Sequence, residues 1–222
     1  MDQVVATSRG RGIDVNGTVL PGADLVELTA EAIRLIKTRA TQDVDWPVIT
    51  YMIGGLPDSV TKVVDYYGGM KYEEVIFPGS PLNTAADVLS TIRASMDSIS
   101  VNTGAIPIYA TIAPMSVETW NNTRMKQGKT SHLLHFREYA NMQELHNETI
   151  VYINSAIVDI NRSRGLSTPH FASQVLQKRG MDMPYRFRHN RLVDGCHPTE
   201  SVIAKWKEEM TTTITRNRAI FQ

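Results

Sequence analysis

Short apolar runs alternate with longer stretches of helical periodicity along most of the chain. A short apolar run bounded by turn residues is typical of a buried strand, whereas apolar residues three and four positions apart are typical of a helix with one buried face. Strands are predicted at residues 4–6, 48–53, 74–77, 106–112 and 166–168. Because strands that alternate with helices form parallel sheets, the pattern indicates an α/β fold.

Helical periodicity marks the segments that would cover this sheet. The clearest helix begins after Asp24, because Glu27 stands three residues further on and completes a capping box. Further helices are predicted after Thr84, over residues 132–164 with a break near Asn147, and after Thr199. No repeat or linker interrupts the pattern, so residues 1–222 are predicted to form a single domain.

Composition narrows the classes of function. The chain is 42% hydrophobic and 21% charged, which is ordinary for a globular domain. Its 23 basic residues balance 23 acidic ones, whereas a dedicated nucleic-acid-binding protein normally carries a basic excess. The net charge therefore does not support nucleic acid as a partner, although a local basic patch is compatible with it. The single cysteine, Cys196, excludes an internal disulfide framework.

The apolar runs also bear on location. None approaches the about 20 residues that a membrane-spanning helix needs. The first residues contain no basic leader followed by an apolar stretch of signal length. We expect a soluble intracellular protein, or a domain of a longer one, that has no membrane partner.

The residues with the most chemical potential lie in three predicted loops. Ser8 follows the first strand, residues 54–58 follow the second, and Asp194 and His197 stand just before the last helix. Open α/β sheets bind ligands in the crevice outside the carboxyl ends of their strands. We therefore expect the three loops to lie close together.

Asp194 and His197 are three residues apart in a tight Gly-Cys turn. At that spacing the carboxylate can reach one ring nitrogen of the histidine, fix its tautomer and stabilise the imidazolium that forms during proton transfer. The other ring nitrogen can then activate a serine hydroxyl, for which Ser8 is the candidate. Backbone N–H groups at Ser8 and Arg9 would point at a developing oxyanion. His132 and His135 have no evident third ligand, so no metal site is predicted.

This arrangement resembles the SGNH (GDSL-type) hydrolase superfamily over nearly the whole chain. The matching segments are Thr7-Ser8-Arg9-Gly10-Arg11-Gly12, Pro21-Gly22-Ala23, Gly55-Leu56-Pro57-Asp58 and Asp194-Gly195-Cys196-His197-Pro198-Thr199. The resemblance implies a three-layer α/β/α fold of the flavodoxin-like kind, with a central parallel sheet of about five strands. Such domains occur in free-standing esterases and in proteins of mobile elements.

The resemblance also implies an activity, which is the hydrolysis of small carboxylic esters of the acetyl type through an acyl-enzyme, without a cofactor. Ser8 would attack, His197 would act as general base and then as general acid, and Asp194 would orient His197. The N–H groups of Ser8, Arg9 and Gly22 would form the oxyanion hole. Weaker candidates for substrate contacts are Gly55, Pro57, Asp58 and again Arg9.

Two departures from the family pattern leave an alternative open. Ala6-Thr7 stands where the family has Gly-Asp, and Pro57 stands where the family has an asparagine that donates to the oxyanion. Asn83 could replace that donor only if folding brings it near. The alternative is a weakly active or inactive domain that binds a partner, either nucleic acid through its arginine clusters or a second copy of itself.

Overall fold

The computed structural model describes residues 20, 22–39, 48–67, 70–77, 79–129, 136–179 and 183–221. Within these ranges the structure is mixed α/β. Its helices are α1 (Leu25–Arg39), α2 (Pro81–Thr103), α3 (Val117–Lys126), α4 (Phe136–Ser163) and α5 (Glu200–Arg218). Its strands are β1 (Ile49–Met52), β2 (Thr61–Tyr67), β3 (Met70–Ile76), β4 (Ile106–Tyr109), β5 (Leu176–Arg179) and β6 (Met183–Phe187). No helix in these ranges is both long and apolar enough to cross a bilayer.

β1 and β4 form a parallel pair in which Ile49 lies opposite Ile106 and Met52 opposite Tyr109. The strands predicted at 48–53 and 106–112 are thereby confirmed, although both are shorter than predicted. Beyond the end of β4, the N–H of Ala110 still donates to the carbonyl of Met52, and the N–H of Thr111 donates on the other edge to the carbonyl of Pro169.

Helices lie on both faces of this pair. Met52 packs in the main core with residues of α1, α2 and α4. Tyr51 points to the opposite face, since successive side chains of a strand alternate. There its hydroxyl accepts a hydrogen bond from Asn217 of α5 at 3.1 Å.

Two predicted strands differ from the expected parallel sheet. The segment at 74–77 belongs to β3, which pairs antiparallel with β2 rather than joining β1 and β4. A strand pairs most readily with its sequence neighbour in this way, whereas a parallel partner needs a long crossover. Residues 166–168 form no strand, because the side chain of Asn217 binds both the N–H and the carbonyl of Ser167. In the described ranges the parallel sheet thus has two strands and not five.

Of the following three predictions made for the helices, one is confirmed and two are wrong. The capping box is confirmed, since the N–H of Glu27 donates to Asp24 at 2.8 Å and the N–H of Asp24 donates to Glu27 at 3.2 Å. Thr84 is not the cap of α2, which begins at Pro81 after the N-cap Ser80. The predicted break near Asn147 is absent, since α4 is continuous over Phe136–Ser163. The side chain of Asn147 accepts a hydrogen bond from Gln143, one turn earlier in the same helix.

Polar side chains on one face of α4 bind the backbone that follows β4. Asn161 donates to the carbonyl of Tyr109 at 2.8 Å. Asn154 binds both peptide groups of Ile112, accepting from its N–H at 2.6 Å and donating to its carbonyl at 2.9 Å. The helix thereby supplies hydrogen-bond partners to the backbone at the end of β4 and just beyond it.

The same face continues with Gln143 and His146. Gln143 accepts from the N–H of Val117 at 3.0 Å and donates to the carbonyl of Met115 at 2.9 Å. His146 accepts from the N–H of Met115 through Nε2 at 3.3 Å. His146 is fully buried, and this burial lowers its pKa from 6.5 to about 4.

His146 should therefore make the fold sensitive to acid. Its pKa in the folded state lies below its pKa in the unfolded state, so its contribution to stability is present above about pH 6.5 and is lost as the pH falls towards 4. We expect the wild type to lose about 2 kcal/mol from this group between about pH 7 and about pH 4.5. His146→Gln keeps an acceptor for Met115 and should lack this loss. Urea unfolding of both proteins at the two pH values measures the difference, and parallel pH dependences would contradict the assignment.

Candidate active site

The loop before α5 is a closed turn built around Asp194. Oδ1 of Asp194 accepts from the backbone N–H groups of Cys196 at 3.0 Å and His197 at 2.8 Å. The N–H of Val193 donates to the carbonyl of His197 at 2.8 Å, and the N–H of Thr199 donates to the carbonyl of Arg191 at 3.0 Å. An aspartate that binds the backbone two and three residues on is a common turn former, so the local sequence accounts for the shape of the loop.

The second carboxylate oxygen of Asp194 holds the imidazole of His197. Oδ2 lies 2.7 Å from Nδ1. Partial burial of Asp194 opposes its ionisation, but the hydrogen bonds from His197 and Cys196 outweigh it and lower the pKa of Asp194. An ionised acceptor at this position favours the tautomer that carries its proton on Nδ1.

The remaining ring nitrogen, Nε2, is therefore an acceptor. It has no hydrogen-bond partner within the described part of the chain, and 45% of the His197 side chain is exposed. This is the arrangement of a general base whose far side is held by a carboxylate.

Gly195 attaches this loop to the first turn of α3. Its carbonyl accepts from the N–H of Ser116 at 2.6 Å. Its φ of +90° lies in the left-handed region, and a Cβ atom there would lie 2.6 Å from the N atom of Trp120 and 2.7 Å from the carbonyl oxygen of Ser116. Both atoms belong to the backbone, so only glycine fits without displacing the helix.

Trp120 forms a wall beside the imidazole. Its ring centroid lies 6.1 Å from that of His197, with the planes inclined by 49°. The guanidinium of Arg124 stands 5.6 Å from the Trp120 ring and is paired with Glu73 of β3. Leu56, in the loop after β1, packs against the same hydrophobic cluster as Trp120.

In the loop after β1, Asp58 supports the start of α1. Both oxygens of Asp58 accept from the N–H of Leu25 at 3.2 Å. Burial, with the nearby charge of Asp24, raises the pKa of Asp58 against the opposing hydrogen bond from Leu25. This contact gives Asp58 a structural role, and the substrate contact suggested for it stays a prediction.

Gly55 brings this loop onto the segment after β4. Its φ is +100°, and a Cβ atom on it would lie 2.9 Å from Cδ1 of Ile112. Pro57 is exposed at the start of a short 3-10 helix, Pro57–Ser59. The substrate contacts predicted for Gly55 and Pro57 are likewise untested by this geometry.

The structure places the other predicted residues as follows. Gly22 is exposed with a φ of +73°, two residues before the capping residue Asp24. Asn83 is exposed in the first turn of α2, where its N–H donates to Ser80. Ser8, Arg9, His132 and His135 lie outside the described residues. Two members of the predicted triad are thus seen in contact, and the third is not described.

Three features that shape the candidate site and its surroundings were not predicted from the sequence. Gly195 could have been found as a glycine between two turn residues, because such a position often requires a positive φ. The anchoring of α1 by Asp58 and the pairing of Arg124 with Glu73 join residues far apart in the chain. No local pattern reports contacts of that kind.

Comparison of the chain with protein-family models, with curated proteins and with solved structures gives no match. Function therefore has to be argued from the chemistry of the site itself.

We expect Gly195→Ala to destabilise the fold more than Gly128→Ala. Both glycines have a positive φ, but Gly128 has no atom within 4 Å of an added Cβ. The Gly128 variant should lose about 1–2 kcal/mol for its left-handed backbone. The Gly195 variant should lose about 1–3 kcal/mol more, because backbone atoms of α3 must move. Chemical unfolding measures both losses, and equal losses would mean that the loop is not docked on α3.

We expect Asp194→Asn to reverse the tautomer of His197. The amide oxygen can still accept from both backbone N–H groups, which leaves the amide NH₂ facing Nδ1. The ring proton should then move to Nε2, as happens in the corresponding serine protease variant. Nitrogen-15 NMR of the imidazole distinguishes the two tautomers. A proton that stays on Nδ1 in the variant would contradict the hydrogen bond.

Proposed function

We propose that the chain is a serine ester hydrolase of the SGNH kind, with Ser8 as nucleophile, His197 as general base and Asp194 as its orienting carboxylate. The observation that carries the proposal is the 2.7 Å contact between Asp194 Oδ2 and His197 Nδ1. It leaves Nε2 as the acceptor. A histidine held in this way is suited to deprotonate a hydroxyl group.

The surroundings of β4 support a larger sheet. Arg164 donates to the carbonyl of Pro107 at 2.7 Å, and Thr111 donates to the carbonyl of Pro169 at 2.9 Å. Residues 164–169 therefore follow β4 in the same direction, as a parallel fifth strand would. The proposed fold is a three-layer α/β/α sandwich in which this segment completes one side of the sheet.

The strand predicted at residues 4–6 lies, like Ser8, outside the described residues. The proposal places it beside β1, on the edge opposite β4. A parallel strand there would end beside the loop of residues 54–58. Ser8 would then follow the carboxyl end of its strand, on the side of the sheet where His197 lies.

The proposed reaction runs through an acyl-enzyme. His197 Nε2 takes the proton of Ser8 as its oxygen attacks the ester carbonyl, and Asp194 stabilises the resulting imidazolium. N–H groups at Ser8, Arg9 and Gly22 bind the oxyanion. The imidazolium returns its proton to the leaving alcohol, and water then repeats the sequence to release the acid. No step in this scheme uses a cofactor.

Pro57 sets an expectation for the rate. In the family the asparagine at this position donates from its side-chain amide. The side chain of proline carries no donor, so Pro57 cannot replace it. Loss of one oxyanion donor costs about 2.7–4 kcal/mol, or roughly 100- to 1,000-fold in rate. The enzyme is therefore expected to be slow, with substrate preference set by binding outside the oxyanion hole.

The test is the hydrolysis of p-nitrophenyl acetate by the wild type and by Ser8→Ala. We expect the rate to fall to near background in the variant, because the attacking oxygen is removed. Cys196→Ala is the matched control and should keep the wild-type rate. Burial, with the charge of Asp194, raises the pKa of the Cys196 thiol to about 11, so that thiol is a poor nucleophile at neutral pH.

Equal near-background rates in the wild type and in Ser8→Ala would argue against the hydrolase. A domain that has kept the fold and lost the reaction would then be the better account, and Pro57 is the residue that favours it.

A further inference from the structure

A groove of about 340 Å³ runs between α1 and α2. Its walls are aliphatic, with Val26, Ala30 and Ile33 on α1 and Ala94 on α2, and Leu25 lies at its base. Among the described residues, those that line it carry no charge. Its volume falls within the range of small-molecule binding sites, which are mostly apolar.

The hydroxyl groups in the groove are already bonded within the protein. Thr29 donates to the carbonyl of Leu25 at 2.6 Å and also contacts Ser95. Ser95 in turn accepts from the hydroxyl of Tyr109 at 2.5 Å.

The remaining two hydroxyl-bearing residues, Thr91 and Ser98, are bonded on α2 itself. Thr91 donates to the carbonyl of Asp87 at 3.1 Å, and Ser98 accepts from Asn102 at 3.4 Å. A polar ligand would have to give up hydrogen bonds to water, and the hydroxyl groups of the described lining, already engaged within the protein, could replace few of them. The lining therefore favours an uncharged aliphatic ligand.

Leu25 connects the base of the groove to the loop after β1, where the weaker candidates for substrate contacts lie. Leu25 at its base donates its N–H to Asp58, and its side chain would lie 3.6 Å from a Cβ atom on Gly55. Val26, in the first turn of α1, is 66% exposed at the mouth.

We propose that this groove binds the unbranched aliphatic acyl chain of the ester substrate. The inference rests on the proposed function for the claim that the ligand is part of an ester. The claim that the groove binds an aliphatic acyl chain rests on the groove alone. It extends the substrate class from acetyl esters to esters of medium-chain acids. The carbonyl would lie at the end of the groove near Leu25, where the loops of the active site begin.

The binding test uses octanoate as the probe and the Ser8→Ala protein, so that it does not depend on catalysis. Titration should shift the methyl NMR signals of Val26, Ala30 and Ala94 to saturation. Ala30→Phe, added to the same protein, fills the groove and should weaken octanoate binding roughly tenfold or more, as expected for the loss of about two buried methylene groups.

Ala204→Phe is the matched control, since Ala204 is also an exposed helical alanine and lies on α5 outside the groove. It should bind octanoate as its parent does. Methyl signals that do not move would overturn the proposal, and they are also the result expected if the groove is filled by another part of the chain or by a second copy. Equal affinities of the two phenylalanine variants would overturn it as well.

A second measurement separates the groove from the catalytic proposal. With Ser8 intact, Ala30→Phe should raise KM for p-nitrophenyl octanoate roughly tenfold and leave the kinetics for p-nitrophenyl acetate unchanged. Octanoate binding without ester hydrolysis would refute the hydrolase, and the proposal that the groove binds an acyl chain would stand. Hydrolysis with the same KM change for both esters would refute the groove and leave the hydrolase.

Discussion

The position of the Asp–His pair depends on how α4 binds the backbone that leaves β4. Residues 110–117 are almost entirely buried, and they follow the end of β4 rather than belonging to a strand. Buried peptide groups without partners are costly, so a run of this kind needs acceptors and donors from elsewhere. Asn154 and Gln143 supply them, at positions of α4 that face the segment. Within this segment, the N–H of Ser116 donates to the carbonyl of Gly195, so α4 also helps to position the turn that carries His197.

Asparagine repeats this role at two other junctions. Asn121 on α3 binds the N–H and the carbonyl of Val75 at the end of β3, at 2.9 and 2.7 Å. Asn217 binds both groups of Ser167 at 2.6 and 2.9 Å. One side-chain amide carries the same donor and acceptor as a peptide group, so it can stand in for one residue of a neighbouring strand. The two asparagines thereby join α3 to the end of β3 and α5 to the segment after α4.

Features set by neighbouring residues were predictable, and features set by distant partners were not. The capping box at Asp24 and the contact between Asp194 and His197 each arise within four residues, and both are present in the structure. The segment at 166–168 has the composition of a strand, but Asn217 competes for its backbone from fifty residues away. The segment at 74–77 was correctly predicted as a strand, yet its partner was not. Apolar patterning reports burial and says nothing about which strand lies alongside.

The buried asparagines have a consequence for covalent modification. Asn121-Asn122-Thr123 and Asn161-Arg162-Ser163 both match the acceptor pattern for N-linked glycans. Asn121 and Asn161 are fully buried, and their side-chain nitrogens are engaged in donating to the carbonyls of Val75 and Tyr109. A sugar attached to either nitrogen would take the place of a hydrogen and bring a bulky polar group into the core. The folded chain therefore shields both sites, and a chain glycosylated at either one before folding could not reach this structure.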